Sequence, residues 1–112
     1  MEINVRKHSD VQVIKLRGDL KMGNPVDELR QLLEEFFAAG DMKIVIDLAE
    51  VQMVDSSGIG VLVRNLASAK QRGGSLKLVN PSKPTQQTLK MVGLLPLFEV
   101  FTEDESAVAS FG

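Results

Sequence analysis

The stretch Val54-Asp55-Ser56-Ser57-Gly58-Ile59-Gly60 stands where one hydrophobic period ends and another begins. Before it, Lys43-Ile44-Val45-Ile46-Asp47-Leu48 is a short apolar run of the kind a buried strand makes. After it, Ile59, Leu62, Val63 and Leu66 recur at the 3.6-residue period of a half-buried helix, predicted over about Ser57 to Arg72. The stretch is therefore a strand-to-helix junction. Asp55 or Ser56 is placed to cap the helix by accepting a backbone N–H bond, and Gly58 and Gly60 keep its first turn free of side chains. The hydroxyls of Ser56 and Ser57 then lie at an uncrowded, positively polarised helix end that tolerates an added anion.

Working outward, Ile3 and Val5 alternate with polar neighbours and read as a short edge strand, and His8-Ser9-Asp10 reads as a turn. Val11 to Leu16 follows as a more apolar strand that so tight a connection pairs antiparallel with the first, and Gly18 ends it. Asp19 to Asn24 is a loop. Asn24 as cap, Pro25 at the first helical position, and Asp27 and Glu28 in the first turn predict a helix start, with Val26, Leu29, Leu32, Leu33, Phe36 and Phe37 as its apolar stripe and Gly40 as its stop. Arg64, Asn65, Ser68 and Gln71 face outward on the next helix, which Gly73-Gly74 ends. Leu76, Leu78 and Val79 supply a strand, Pro84 to Met91 a short helix, and Phe98 to Phe101 a last strand. Thr102 with Glu105 three residues on predicts a capping box for a helix through Ala109. Strands alternating with helices after an opening hairpin predict an α/β domain with a mixed, mostly parallel sheet, right-handed crossovers and about four helices. At 112 residues the chain is expected to form one domain, residues 1–112.

The composition narrows the function. Net charge is −2, no Trp or Tyr is present, and Lys and Arg are scattered, which argues against nucleic-acid binding. The absence of Cys removes disulfides, thiolate metal sites and cysteine nucleophiles together. No apolar run approaches the roughly 18 residues of a membrane span, and the first residues have no signal-peptide core, so a cytoplasmic protein without membrane contact is expected.

Catalysis is disfavoured on spacing. A G-x-S-x-G elbow would need Gly two residues before a serine, where Val54 and Asp55 stand. The one histidine, His8, sits in a polar turn, too weak a signal for a general base. Gly58-x-Gly60 would need a third glycine at Val63 to be a dinucleotide fingerprint, and no G-K-[ST] follows. Asp47, Glu50 and Asp55 lack a second cluster that would make them a metal set. No catalytic residue, metal or cofactor is expected.

The ordered set of D-S-S-G at 55–58, the strand KIVIDL before it, the Gly73-Gly74 pair, the Asn80-Pro81-Ser82 segment and the late T-x-x-E helix resembles bacterial anti-sigma factor antagonists of the STAS-domain type, from about Ile3 to Ala109. The resemblance implies the same α/β layout. It implies Ser56, the first serine of the motif, as phosphate acceptor, and Asp19, Lys21, Asp55, Ser56, Ser57 and Gly58 as partner-binding residues. It implies as partners a serine-kinase anti-sigma factor, whose capture frees a sigma factor, and a resetting PP2C-type phosphatase; a monomer is expected. Lys21 departs from the acidic residue common in the family after the G-x-L of this loop. The competing expectation is a STAS-type adaptor or scaffold, in a sensory complex or transport system, whose serines only cap.

Overall fold

Period-two alternation and 3.6-residue periodicity sort the chain into the elements seen in the computed structural model, which describes residues 1–112. Strands β1 (Glu2–His8) and β2 (Val11–Arg17) form an antiparallel hairpin. Helix α1 (Asn24–Ala38) leads to β3 (Lys43–Glu50), α2 (Ser56–Gln71) to β4 (Ser75–Val79), and α3 (Lys83–Met91) with a 3-10 turn at Leu95–Leu97 to β5 (Val100–Phe101). The sheet order is β1-β2-β3-β4-β5, parallel from β2 onward. Helix α4 (Asp104–Ala109) closes the chain.

A parallel sheet that advances one strand at a time in one direction through right-handed crossovers must place its connecting helices on one face. The side chains obey this. Ile14 and Leu16 of β2, Ile44, Ile46 and Leu48 of β3, and Leu76 and Leu78 of β4 pack with Leu29, Leu33, Leu62, Leu66 and Leu89 of the three helices in the main core. The alternate residues Val11, Val13, Val45 and Val79 face the other side, where Ala107 of α4 covers them with Phe101, Val108 and Phe111. Lys77 points to this second face and is only 5% exposed; its Nζ donates to Ser110 Oγ (2.7 Å), pairs with Glu99 (3.2 Å) and lies over the Phe111 ring. Its alkyl stem thus joins the apolar layer while its charge keeps partners.

Several local expectations shift. Helix α1 is capped by Gly23 and not by Asn24: with φ 105° and ψ −143°, the cap takes a backbone conformation open to glycine, and no side chain bonds the first turn. Helix α3 begins at Lys83 because Ser82 Oγ accepts the Thr85 N–H (3.2 Å). The last strand is only Val100–Phe101, since the Phe98 N–H is donated to Leu95 O in the 3-10 turn (3.1 Å). The capping box at Thr102 does not form; Glu103 occupies the cap with no side-chain bond, and Thr102 O instead accepts from Asn80 Nδ2 (2.7 Å). On α2, Val61 is buried and Val63 only half-buried, reversing the two in the predicted stripe. His8 is the last residue of β1, paired with Val11, so only Ser9 and Asp10 turn, with Ser9 at φ 60°.

The second face also carries a carboxyl pair. Asp47 is buried and its Oδ1 accepts the Ala49 N–H (2.9 Å), while Asp104 reaches Arg6 Nη2 (3.0 Å). Burial, together with the nearness and negative charge of Asp47, pushes the Asp104 carboxyl up from its ordinary value against the pull of Arg6 and Lys15, and Asp104 Oδ1 is buried without a hydrogen-bond partner. An acid raised on folding favours the fold while protonated, so this contribution is present below the ordinary carboxylate range and lost as pH rises through the raised value. Asp104→Asn is therefore expected to melt above wild type at about pH 7, with the gap closing toward about pH 4 in parallel thermal melts.

Candidate functional site

The site is built by two chain segments that leave adjacent parallel strands at their carboxyl ends, where α/β sheets place their working surfaces. After β2 and β3 the chains stay zipped: the Gly18 N–H donates to Glu50 O (3.1 Å), the Leu20 N–H to Met53 O (3.0 Å), and the Asp55 N–H to Leu20 O (3.2 Å), with Leu20 and Val54 forming an isolated parallel bridge. Side chains add to the zip. Asp19 Oδ1 accepts the Met53 N–H (3.2 Å), and Asp55 Oδ2 accepts the Met22 N–H (2.9 Å) while its Oδ1 accepts the Gly58 N–H (2.9 Å).

Asp55, and not Ser56, is thus the cap of α2, and the helix begins at Ser56, one residue before the predicted start. One carboxylate ties the 19–22 loop to the helix. The N–H groups of Met22 and then Gly58 hold the Asp55 carboxyl below its ordinary value, aided by the Ser57 N–H and the charge of Lys21 and opposed by desolvation. Gly58 is buried beneath this contact. A Cβ there would stand 2.6 Å from Leu20 O and 2.7 Å from Val54 Cγ1, so the residue admits the close approach of loop and helix and presents no surface of its own.

With the cap supplied by Asp55, neither serine hydroxyl is committed to it. Ser56 is exposed and Ser57 half-buried. Both line a cleft of about 470 Å³ between the N-terminal halves of α1 and α2, shared with Met22, Gly60, Arg30 and Arg64. Arg30 pairs with Asp27 (2.9 Å) in the cleft wall. Asp19 and Lys21 form an exposed pair (3.5 Å) beside it, and Met22, 75% exposed, and Met53 add apolar surface at the rim.

The structure brings Asp19, Lys21, Asp55, Ser56 and Ser57 to one end of the sheet over Gly58. Sequence reasoning missed Met22, Met53, Arg30 and Arg64. For Arg64 the signal was available: Ser56, Gly60 and Arg64 recur every four residues, which aligns them along one helix face. His8 pairs with the start of β2, at the opposite end of the sheet. The three carboxylates weighed as a metal set have separate tasks: Asp47 on the α4 face, Glu50 paired with Arg17 (3.1 Å), and Asp55 in the cap.

A sequence profile of the STAS domain matches residues 2–107. The anti-sigma-B factor antagonist of Bacillus subtilis (strain 168) is 33% identical over 113 residues, covering 96% of this chain and 99% of that protein. The anti-sigma F factor antagonist of Paenibacillus polymyxa is 26% identical over 109 residues, covering 96% and 92%. Among solved structures, the anti-sigma factor antagonist SpoIIAA in its unphosphorylated form superposes with a TM-score of 0.84 at 22% identity, covering 97% of this chain and 95% of that one. The phosphorylated form, from Bacillus, gives 0.79 at 22% identity, covering 97% and 98%. A sulfate transporter family protein from Wolinella succinogenes gives 0.77 at 21% identity, covering 92% and 85%. At these identities the structural likenesses establish the fold alone.

Removing the Asp55 carboxylate leaves the Met22 and Gly58 N–H groups without their acceptor. Asp55→Ala is expected to lose about 1–2 kcal/mol of stability in denaturant unfolding at neutral pH. Because the folded-state carboxyl is depressed, its contribution is present above the ordinary carboxylate range and lost as pH falls through the depressed value. Wild type and variant should therefore converge in acid.

Proposed function

The chain belongs to the STAS domain family, and we propose that within it this protein is an anti-sigma factor antagonist switched by phosphorylation of Ser56. The unmodified face captures a serine-kinase anti-sigma factor and frees the sigma factor that the kinase holds. The kinase transfers the γ-phosphoryl group of ATP to Ser56 Oγ, with loss of the hydroxyl proton and release of ADP, and a PP2C-type phosphatase hydrolyses the ester. The observation that carries this reading is the division of labour at the junction: Asp55 does the capping, which leaves the exposed Ser56 hydroxyl available at the helix start. Names of relatives that span nearly the whole chain, such as the Bacillus subtilis anti-sigma-B factor antagonist, support the same assignment.

The physics of the switch follows from where the charge lands. A phosphoserine carries about −1.5 to −2 charges near neutral pH. At a helix N-terminus that charge is tolerated by the fold, whereas against a partner surface matched to a neutral hydroxyl it meets desolvation cost and like charge. Docking fails while the domain stays folded. Met22 and Met53 supply the apolar contact that a docking face needs beside its polar centre.

The test uses a candidate serine kinase of the anti-sigma type. Incubation with ATP, followed by peptide fragmentation, should place one phosphate on Ser56 and none on Ser56→Ala. A phosphate confined to Ser57 would overturn the assignment of the acceptor. Failure of wild type both to bind and to be modified would favour a scaffold role.

Lys21 places a cation on the docking face between Asp19 and Asp55. Charges at an interface rim act mainly on association rate and its salt dependence. Lys21→Glu is expected to slow association with that kinase several-fold at low salt. The difference should shrink as the Debye length falls from about 10 Å at 0.1 M to about 3 Å at 1 M, with little change in dissociation. Stopped-flow association at two salt concentrations measures this.

A further inference from the structure

The guanidinium of Arg64 has no ion-pair partner in a chain where most arginines have one: Arg6 meets Asp104, Arg17 meets Glu2 and Glu50, and Arg30 meets Asp27. Nor does it extend away from its helix. Its Nη2 lies 3.6 Å from where a Cβ on Gly60 would be, so the side chain folds back over the glycine toward the start of α2. Gly60 is one turn beyond Ser56, about 6 Å of helix rise. A larger residue at 60 would occupy the space that lets Arg64 lie along the helix. Across the cleft, Arg30 of α1 faces the same space.

We propose that Arg64, assisted by Arg30, receives the phosphate of phosphorylated Ser56, so that the modified protein holds its own dianion in the α1–α2 cleft. The unpaired guanidinium lying over Gly60, together with a cleft that Ser56, Arg30 and Arg64 line in common, carries this assignment; the N-terminus of α2 alone does not. Arg64 is a fork of charged donors suited to phosphate oxygens, and Arg30 must share itself with Asp27. The inference deepens the proposed switch and rests on Ser56 as the acceptor.

The experiment needs no kinase. Phosphoserine is installed at position 56 of the full chain by genetic code expansion, and the second ionisation of the phosphate, ordinarily near pH 6, is followed by phosphorus NMR. In the otherwise wild-type protein it should fall below that of a phosphorylated peptide spanning residues 54–60. Arg64→Gln should raise it by at least about 0.5, discounted from a buried pair because the site is open to solvent. Arg30→Gln should raise it less, and Arg72→Gln, at the far end of α2, should leave it unchanged. The N-terminus of α2 depresses the value in every variant, so the difference made by Arg64 decides. Circular dichroism checks that each variant is folded, and Arg64→Lys, which keeps the charge without the fork, should fall between wild type and Arg64→Gln. Equal ionisation in wild type and Arg64→Gln overturns the clamp whatever the kinase does. A clamp found here with no kinase activity in the preceding assay would instead sink the proposed partner.

Discussion

The structure turns on one carboxylate with two backbone donors. Asp55 accepts the N–H of Gly58 within α2 and the N–H of Met22 in the loop that follows β2. The first bond starts the helix; the second fixes the loop to it. Without the second bond, the 19–22 segment would be joined to the junction by the Leu20 ladder and Asp19 alone. Gly58 makes the arrangement sterically feasible, since any side chain at that position would meet Leu20 O and Val54. Burial of Leu20 at 0% exposure then anchors the loop in the main core, so that the polar contacts at the surface and the apolar contact beneath it reinforce one another.

The two faces of the sheet are stabilised differently, and this separates the candidate site from the rest of the molecule. The helix-covered face is an almost wholly apolar layer with Leu and Ile at its centre. The α4 face is thin and carries the ionisable groups that the fold does bury, Asp47 and Lys77, each with hydrogen-bonding partners. Protonation at Asp104 therefore acts on the attachment of α4, across the sheet from the α1–α2 cleft. The residues around Ser56 titrate through Asp55, in the opposite sense, so acid is expected to weaken the loop–helix tie while it relieves the carboxyl pair under α4.

How much of this was legible depended on whether a feature is encoded by pattern or by contact. The order of strands and helices, the hairpin and the strand-to-helix junction follow from hydrophobic period and turn residues, and each is present. Caps were read less well because several residues compete for each. Asn24 is a strong statistical cap, yet Gly23 can take a φ of 105° that Asn24 cannot match as cheaply, and the helix starts one residue earlier. Thr102 and Glu105 have the spacing of a capping box, but Asn80, 22 residues away, engages the Thr102 carbonyl, a contact invisible in local sequence. The site residues divide in the same way. Asp55, Ser56 and Ser57 belong to a contiguous motif; Asp19 and Lys21 follow from adjacent strand ends; Met22 and Arg30 enter only because α1 begins beside α2.

A face organised in this way suits a change of charge without a change of shape. The groups that hold the loop to the helix are Asp55, the Leu20 ladder and Gly58, and none of them is the serine hydroxyl. Modifying Ser56 would therefore leave every one of those contacts in place, and the conformational preference of the domain would have no reason to shift. A ligand or modification can move a structural equilibrium only by its differential interaction with the two states. Here a phosphate would find the same backbone on either side of the reaction, so its effect must be exerted at the surface, through desolvation and charge against whatever docks there. That is why the rigidity of the junction and the freedom of the Ser56 hydroxyl belong to one design: the cap relieves the serine of a structural task, and the serine can then change its charge without unmaking the cap.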